Sequence, residues 1–431
     1  MNSSDKRAIS LEEAQSIVTG TIGVLSAEVV PLERALGRII RQDVAGDVDY
    51  PPSDMSAMDG YCLASSGTRD ATTAEPVLLK IAGKLRAGQV VGIRVSSGEC
   101  ISIMTGGTLP EGTDTVLKME DVERRGDCIV VTGPVPPGQF VRKQGEVTRA
   151  GETVGTSGRR ATPALLGLLA ALGAHHVAVA SRPRVGILAT GDELVPPDRD
   201  PPRGCLRCSN LPMLVGLASE VGCEVVYAGI CGDSEADIIR GVDRCGECDA
   251  IVMSGGVSYG EYDLVPGALA EAGARIKFRE LRISPGKRMV FAKKAETAFF
   301  CLPGNPVAAT ISFYMIVKPG LLGMMGAAVV LPKPLRARIS SEIRKDVGYR
   351  KLVPARLRRA EPQAQGPKPT GAESCGFDMC PVVQPIASRS SGDLLSLAEA
   401  DCLASLDAAV ECIHAGDVVD VFMLSSPAGS P

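Results

Sequence analysis

Predicted strands and helices alternate between residues 182 and 326, and this alternation restricts the fold more than any other feature of the sequence. Short apolar runs typical of buried strands are each followed by a longer stretch with helical periodicity. The predicted strands cover residues 185–188, 224–228, 250–253 and 299–302, and the predicted helices cover residues 211–221, 263–272 and 306–317, with another opening at residue 234. This spacing predicts a parallel, doubly wound sheet with right-handed crossovers.

The segments on either side of this α/β region have a different pattern. A chain of 431 residues is longer than one hydrophobic core usually organises, so several domains are expected. The capping box Ser10-Leu-Glu-Glu13 opens a helix, and residues 31–37 predict a second short one. Short β-rich runs separated by Gly and Pro turns fill residues 58–141 and return after residue 332, where residues 361–371 predict a loop. The pattern predicts two small β domains that flank the α/β region.

The composition of the chain argues against two classes of binding partner, nucleic acids and membranes. The net charge of −4, an aromatic content of 3% and the absence of Trp argue against nucleic acid as a partner. The apolar stretch at residues 164–174 is shorter than the ~20 residues of a spanning helix, and no signal peptide is visible at the N-terminus. We therefore expect a cytoplasmic protein that does not bind membranes.

The fourteen cysteines predict reduced thiols rather than a disulfide framework, because the expected compartment is reducing. Two CxxC pairs, Cys205/Cys208 and Cys245/Cys248, raise the alternative of a zinc site. One pair follows a predicted strand and the other precedes one, which places them at opposite edges of a parallel sheet. Separate thiols are therefore favoured over one four-cysteine zinc site.

Acidic residues follow the predicted strands of the α/β region. Asp192 and Glu193 come after the first strand, Asp233 after the second, and Asp263 shortly after the third. Ligands bind outside the carboxyl ends of the strands in such sheets, so we expect these acids at one rim. Crowded carboxylates repel unless a cation neutralises them, and oxygen ligands favour Mg²⁺. The alternative is that some of them only cap helices, as Asp263 could.

Two glycine-containing turns border the same predicted rim. Ser254-Gly-Gly-Val-Ser258 could present backbone N–H groups to a phosphate, although any tight strand–helix turn can use Gly-Gly. Leu302-Pro-Gly-Asn-Pro306 places Asn305 and Pro306 at a helix start, and a structural turn would explain it equally well. The motif Pro285-Gly-Lys287 with Arg288 adds cations that could bind an oxyanion. The alternative is that these residues form a solvated basic turn. Neither a Walker loop nor a GxGxxG fingerprint is present, which disfavours nucleotide triphosphatases and hydride-transfer enzymes.

Five motifs in order resemble the MoeA family, which includes the C-terminal domain of gephyrin. They are Pro51-Pro-Ser-Asp-Met-Ser-Ala-Met-Asp-Gly-Tyr61, Met104-Thr-Gly-Gly107, Thr190-Gly-Asp-Glu193, Ser254-Gly-Gly-Val-Ser258 and Leu302-Pro-Gly-Asn-Pro306. The resemblance implies an elongated homodimer with a MogA-like α/β domain and a C-terminal β-barrel. Applied to this chain, it implies a discontinuous N-terminal domain (1–50 and 142–181), a small β domain (51–141), an α/β domain that binds molybdopterin (182–331) and the barrel (332–431).

The resemblance also implies an activity, that of a molybdopterin molybdotransferase in molybdenum cofactor biosynthesis. Such an enzyme inserts molybdate, or tungstate, into adenylylated molybdopterin with Mg²⁺-dependent release of AMP. The molybdopterin adenylyltransferase that supplies this substrate is a further candidate partner.

Roles for single residues follow from the same resemblance. The implied catalytic residues are Asp59, Thr105, Glu193, Asp233 and Asp263, with Asp233 and Asp263 as Mg²⁺ ligands. Asp59 and Thr105 would face the α/β domain of the partner subunit, and Lys287 would lie near molybdate. The implied substrate-binding residues are Gly191, Asp192, Ser254, Gly255, Gly256, Ser258, Lys287, Pro303, Gly304, Asn305 and Pro306.

The sequence departs from the family pattern at four positions. Val147 stands where an acid is expected, Met55 where Asn is usual, and Ser284 and Glu280 where the family carries cations. Losing two cations beside an oxyanion site should weaken anion binding, although Lys287, Arg282 and Arg288 could compensate. One alternative is therefore a paralogue that binds molybdopterin or the finished cofactor as a carrier or scaffold without turnover. Another is a related hydrolase that acts on a different nucleotide.

Overall fold

The computed structural model describes residues 8–89, 92–257, 264–358, 380–387 and 392–424. The chain divides into two compact units. One unit is Val29–Val179, and the other combines Met1–Glu28 with Ala180–Pro431.

The unit Val29–Val179 contains a six-stranded sheet with the predicted alternation of short strands and turns. Its strands, in spatial order, are Thr115–Lys118, Gly60–Leu63, Glu99–Ile103, Val77–Leu85, Cys128–Val131 and Glu123–Arg125. Neighbours are antiparallel except for Val77–Leu85 and Glu99–Ile103, which run parallel. Alternate side chains such as Leu63, Ile101 and Ile129 are fully buried, as expected for strands that cover a core with one face.

Two segments that flank this sheet in sequence share a separate core. The helix Pro163–Ala171, capped by Thr162, packs its buried Leu165 and Leu169 against residues near both ends of the unit, including Ile40 and Val179. Short strand pairs join the same segments: Ala27–Pro31 with His176–Ala180, Val44–Ala45 with Thr153–Gly155, and Met55–Ser56 with Val141–Arg142. The helix predicted at 31–37 is only one 3₁₀ turn, Leu32–Arg34, because a strand precedes it and Gly37 follows in a left-handed conformation (φ 75°).

A six-stranded mixed sheet forms the centre of the second unit. Its strands, in spatial order, are Glu224–Cys231, Arg184–Thr190, Ala250–Ser254, Thr297–Leu302, Arg288–Lys294 and Arg275–Glu280. The first four are parallel, as predicted from the alternation. The last two strands each pair antiparallel with the preceding one and were not predicted. The edge strand Arg275–Glu280 is largely charged and carries no apolar run.

Helices pack around this sheet and start at the carboxyl ends of its parallel strands. They are Asn210–Val221, Glu235–Cys245, Leu264–Glu271 and Pro306–Ser312, and the last continues through a π-helical turn, Phe313–Val317, into Lys318–Met324. The N-terminal helix Leu11–Thr21 begins at the predicted cap Ser10. It packs against the long helix, where Gln15 Nε2 donates to the Met315 carbonyl at 2.9 Å.

Among the described residues, the helical stretch Pro306–Met324 is long and apolar enough to cross a membrane by length and composition. Of its most apolar window, 83% is buried inside the protein. A core helix of a globular domain has these properties, because it contacts apolar neighbours on every side.

The C-terminal part of the second unit is a closed five-stranded barrel. Its strands are Arg350–Arg358, Val382–Pro385, Leu335–Ile339, Val418–Met423 and Cys402–Leu406, and the last pairs with the first. The short strand Ile283–Ser284 adds to Arg350–Arg358 in parallel. A pair, Ile343–Arg344 with Cys412–Ile413, and a helix, Leu394–Ala398, lie outside the barrel strands. The loop predicted at 361–371 lies outside the described residues.

Candidate functional site

The loops that follow the four parallel strands surround one cavity of about 330 Å³ at the carboxyl edge of the sheet. We call it the rim cavity. Its described lining residues are Thr190, Gly191, Glu193, Asp233, Gly255, Gly256, Val257, Arg288, Pro303 and Gly304. Four of the loops predicted from strand ends thus meet around one space.

Glu193 and Asp233 bring their carboxylates to the rim cavity, whereas Asp192 holds two loops together. The Asp192 carboxylate accepts a hydrogen bond from the Asp233 N–H at 3.0 Å, and the Asp192 N–H donates to Asp233 Oδ2 at 3.3 Å. Asp192 is not among the described residues that line the cavity. Asp263, the remaining predicted acid, lies outside the described residues, as does Ser258.

The two glycines of the loop after Ala250–Ser254 are required by its backbone. Gly255 and Gly256 both have positive φ angles, 106° and 67°. A Cβ at Gly255 would lie 2.5 Å from the Thr190 carbonyl oxygen, and one at Gly256 would lie 2.6 Å from Val265 Cγ2. The Gly255 N–H donates to the Leu302 carbonyl at 3.1 Å, so contacts with an anion would fall to the amides of Gly256 and Val257. The glycines are thus required by the predicted tight turn and by its close packing against neighbouring atoms.

Asn210 organises the rim and was not predicted to do so. Its Nδ2 donates to Ser254 Oγ and to the Gly304 carbonyl, both at 2.7 Å. Ser254 Oγ in turn donates to the Pro303 carbonyl at 3.0 Å. Ser254 is only 2% exposed, so its hydroxyl positions the loops rather than facing a substrate. An Asn at a helix start usually indicates a cap, and no sequence signal distinguishes this second role.

A buried hydroxyl also points to a polar ligand at the rim cavity. Thr190 Oγ1 and Asn210 Oδ1 are both buried, and neither has a hydrogen-bond partner within the described part of the chain. Buried polar atoms are rarely left unpaired in proteins. Since Thr190 lines the cavity, its hydroxyl could bind a group that occupies this space.

The turn Leu302-Pro-Gly-Asn-Pro306 divides its residues between two roles. Pro303 and Gly304 line the rim cavity. Asn305 accepts a hydrogen bond from the Ala308 N–H at 3.1 Å and caps the helix, while Pro306 occupies its first position. Asn305 and Pro306 thus form the structural turn at the helix start, and Pro303 and Gly304 are the residues of this motif that line the rim cavity.

Lys287 and Arg288 face different cavities, because successive side chains near a strand point to opposite sides. Arg288 lines the rim cavity. Lys287 lines a second space of about 450 Å³, which we call the basic cavity, and its Nζ lies 5.2 Å from the centre of the Tyr349 ring. The described residues around the basic cavity are Ile283, Ser284, Lys287, Arg344, Lys345, Asp346, Tyr349 and Lys351.

The barrel supplies most of the charge of the basic cavity. Lys351 is the register partner of Ser284 in the parallel pairing of Ile283–Ser284 with Arg350–Arg358. A barrel cation therefore neighbours the position where the family pattern carries a lysine. Desolvation lowers the pKa of Lys345, whose ammonium donates to the Asp346, Tyr349 and Ala408 carbonyls. Arg282 was one of the residues that could compensate for the missing family cations. Its Nε instead donates to the Ala8 carbonyl at 3.1 Å.

Asp59 and Thr105 form one exposed arrangement in the unit Val29–Val179. The Thr105 N–H and hydroxyl both donate to Asp59 Oδ1 at 2.7 Å. The hydrogen bond from the Thr105 backbone, and then that from its hydroxyl, lowers the pKa of Asp59. Two loops far apart in sequence therefore present an ionised carboxylate with one oxygen held in place.

The two CxxC pairs contribute mostly buried thiols. Cys208, Cys245 and Cys248 are buried, and Cys205 is partly exposed. The Cys248 thiol donates to the Cys245 carbonyl at 2.9 Å. Neither pair belongs to a group of three or more metal-ligand side chains within the described ranges.

Comparison with known proteins matches nearly the whole chain to one family. Residues 9–173 match the MoeA N-terminal region (domain I and II), residues 186–323 a probable molybdopterin binding domain, and residues 336–424 the MoeA C-terminal region (domain IV). A molybdopterin molybdenumtransferase 2 of Mycobacterium tuberculosis is 34% identical over 338 residues, which cover 77% of this chain and 82% of that protein. A Staphylococcus aureus molybdopterin molybdenumtransferase is 27% identical over 98% of this chain and 97% of its own length.

A solved structure has the same fold over nearly the full length of this chain. The molybdopterin biosynthesis moeA protein of Pyrococcus horikoshii OT3 aligns with a TM-score of 0.79 and 26% identity, covering 97% of this chain and all of that one. The ordered motifs, the closed C-terminal barrel and these matches agree, and the chain belongs to the MoeA family.

Proposed function

We propose that this chain is a molybdopterin molybdenumtransferase, which inserts molybdenum into molybdopterin during molybdenum cofactor biosynthesis. The observation that carries the proposal is the rim cavity, where Glu193, Asp233 and Arg288 surround backbone amides that suit a phosphate. Relatives that align with most of the chain have this activity in their names.

The proposed substrate is adenylylated molybdopterin, bound with its phosphates at the rim cavity. The amides of Gly256 and Val257 and the guanidinium of Arg288 would bind phosphate oxygens, and the Thr190 hydroxyl would gain a partner. The described residues that line the cavity include two carboxylates and no His or Cys, a set that suits Mg²⁺, which is usually held by one or two carboxylates together with phosphates. Glu193 and Asp233, with Asp263 as a further candidate, would hold Mg²⁺, which would offset the phosphate charge while AMP leaves.

Molybdate, or the similar tungstate, is the proposed second substrate, and the basic cavity is its proposed site. Four cationic residues and one acid line this cavity. Lys351 beside Ser284 supports the view that barrel cations replace the missing family lysine. An anion bound in this cavity would lie near the Lys287 ammonium, beside the Tyr349 ring.

The rim proposal is tested with Asp233→Asn and Glu193→Gln. Each change removes a charge but keeps the shape of the side chain, so Mg²⁺- and molybdate-dependent AMP release from adenylylated molybdopterin should fall by about 10²-fold or more. The matched control is Glu224→Gln, an exposed acid at the opposite end of a parallel strand, which should keep the wild-type rate.

Two results would contradict this proposal. Wild-type rates in both rim variants would remove the role of the rim acids. Tight molybdopterin binding by the wild-type chain without AMP release would instead favour the carrier or scaffold, the alternative raised by Ser284, Glu280 and Val147.

We further propose a cytoplasmic homodimer in which Asp59 and Thr105 of one subunit act on substrate held by the other. The support is that the pair is exposed and that Thr105 orients an ionised Asp59. A molybdopterin adenylyltransferase is the proposed partner that supplies the substrate.

A further inference from the structure

Three side chains of types that can bind a metal ion converge on the surface of the C-terminal barrel. The ligand atoms of Glu342, Cys412 and His414 all lie within 4.8 Å of one another. None of the three is among the described residues that line the rim cavity or the basic cavity. The cluster is therefore separate from both cavities of the proposed transferase site.

The strand pairing explains why these side chains meet. Ile343–Arg344 and Cys412–Ile413 are antiparallel, with Ile343 opposite Ile413 and Arg344 opposite Cys412. Side chains alternate along strands, so both isoleucines face the barrel core and the neighbouring residues face outwards. Continuing the register by one residue places Glu342 opposite His414, on the same outward face as Cys412.

The distances are close to those of a tetrahedral zinc site. His414 Nδ1 lies 3.2 Å from Glu342 Oε2 and 3.9 Å from Cys412 Sγ. Zinc bonds of ~2.0–2.3 Å imply ligand-to-ligand separations of roughly 3.3–3.6 Å in a tetrahedron. Small side-chain rotations would therefore be enough to place all three donors around one ion.

Neighbouring groups hold two of the ligands in position. Arg344 Nε donates to Glu342 Oε1 at 3.1 Å, which leaves Oε2 directed at His414. The backbone N–H of His414 donates to Asp417 Oδ2 at 2.8 Å, which holds the backbone of His414 in place. Hydrogen bonds of this kind orient the ligands of known metal sites.

Binding a metal at this cluster requires Cys412 as a thiolate, because the thiolate is the form that ligates metal. A divalent ion would therefore displace the Cys412 thiol proton, which would pass to the buffer.

We propose that Glu342, Cys412 and His414 form a Zn²⁺ site on the C-terminal barrel. The mixture of sulfur, nitrogen and oxygen suits this borderline-soft ion, and three protein ligands leave a fourth position for water. The metal would join two short strands that are distant in sequence, and it would stabilise the folded barrel by binding to that state.

The test uses the reduced, metal-free full chain and Co²⁺ as a spectroscopic substitute for Zn²⁺. Wild type should show a thiolate-to-metal charge-transfer band that saturates at one equivalent of thiolate-bound Co²⁺, and Cys412→Ser should lose that band. Glu342→Gln and His414→Ala should keep a thiolate ligand but bind Co²⁺ at least about 10-fold more weakly, since even loss of an outer hydrogen-bond partner has that effect.

The matched control is Cys205→Ser, which removes a partly exposed thiol elsewhere and should leave the band unchanged. Zn²⁺ should also raise the Tm of wild type and of Cys205→Ser but not that of Cys412→Ser. The absence of a band in wild type, or its persistence in Cys412→Ser, would overturn the proposal. The variants avoid Arg344, because that residue also lines the basic cavity.

Discussion

At the scale of single residues, Asn210 holds two loops of the rim cavity through one side-chain amide. Its Nδ2 reaches Ser254 Oγ and the Gly304 carbonyl, which belong to loops after different strands. Both Asn210 and Ser254 are buried, at 8% and 2% exposure, so water cannot readily replace either partner. The geometry of the cavity therefore depends on a residue that does not line it.

Asn210→Ala should destabilise the protein by about 1–3 kcal/mol, because it leaves the Gly304 carbonyl without this donor. Combined with Ser254→Ala, the two changes should be non-additive by at least about 0.5 kcal/mol, since they share one hydrogen bond. Urea denaturation of the single and double variants measures both effects. The control Ser219→Ala, on an exposed face of the same helix, should stay within about 0.5 kcal/mol of wild type, and strict additivity would contradict the network.

The neighbouring residues Asp192 and Glu193 show which features of the rim cavity could be predicted from the sequence. The rule that ligands bind at the carboxyl ends of parallel strands correctly placed Glu193 and Asp233 around one cavity. The same rule could not separate Asp192 from Glu193, because both follow the same strand. Asp192 differs because its carboxylate accepts a bond from the Asp233 backbone, and that depends on the shape of two loops.

At the scale of elements, the N-terminal caps of the helices determine where the rim loops end and the helices begin. The helix Glu235–Cys245 begins at Ser234, directly after Asp233. Ser234 Oγ accepts from the Asp237 N–H at 3.0 Å and donates to the Asp237 carboxylate. The helix Asn210–Val221 also begins after a serine, but Ser209 forms no capping hydrogen bond.

Ser234→Ala should lower the free energy of unfolding by about 1 kcal/mol, whereas Ser209→Ala should change it little. Hydrogen bonds from Ser234, followed by those from Arg240, lower the pKa of Asp237 below its ordinary value of 3.8. The resulting stability is present above that value and is lost as the pH falls through the lower pKa of the folded state. Urea denaturation at neutral and acidic pH should therefore show the difference between wild type and Ser234→Ala shrinking in acid. An equal loss in both serine variants would contradict the role of the cap.

The short strands mark the limit of prediction at this scale. Ile283–Ser284 and Cys412–Ile413 have two residues each, too few to show an alternating pattern. The first brings Lys351 beside Ser284, and the second brings Cys412 and His414 to Glu342. Both the basic cavity and the proposed zinc site therefore arise from pairings that carry no local sequence signal.

At the scale of the whole molecule, the proposed homodimer predicts complementation between two inactive variants. Asp59→Asn keeps an oxygen that can accept the Thr105 hydrogen bonds but removes the charge, so activity should fall without unfolding. Mixed dimers of Asp59→Asn with Asp233→Asn should recover AMP release, because one pairing of subunits retains both acids. Light scattering checks the dimer, and a mixture that stays inactive would count against sites shared between subunits.

Local periodicity and the rule for strand ends determined the parallel part of the α/β sheet, the β domains and the meeting of Glu193, Asp233 and the Gly-Gly loop. These features could be predicted because each depends on a few consecutive residues and on one general property of parallel sheets. Only the tertiary structure decided the roles of Asn210 and Asp192, the separation of Lys287 from Arg288, and the meeting of Glu342, Cys412 and His414. Those contacts join residues from distant segments, and their formation depends on loop shapes and on the closure of the barrel.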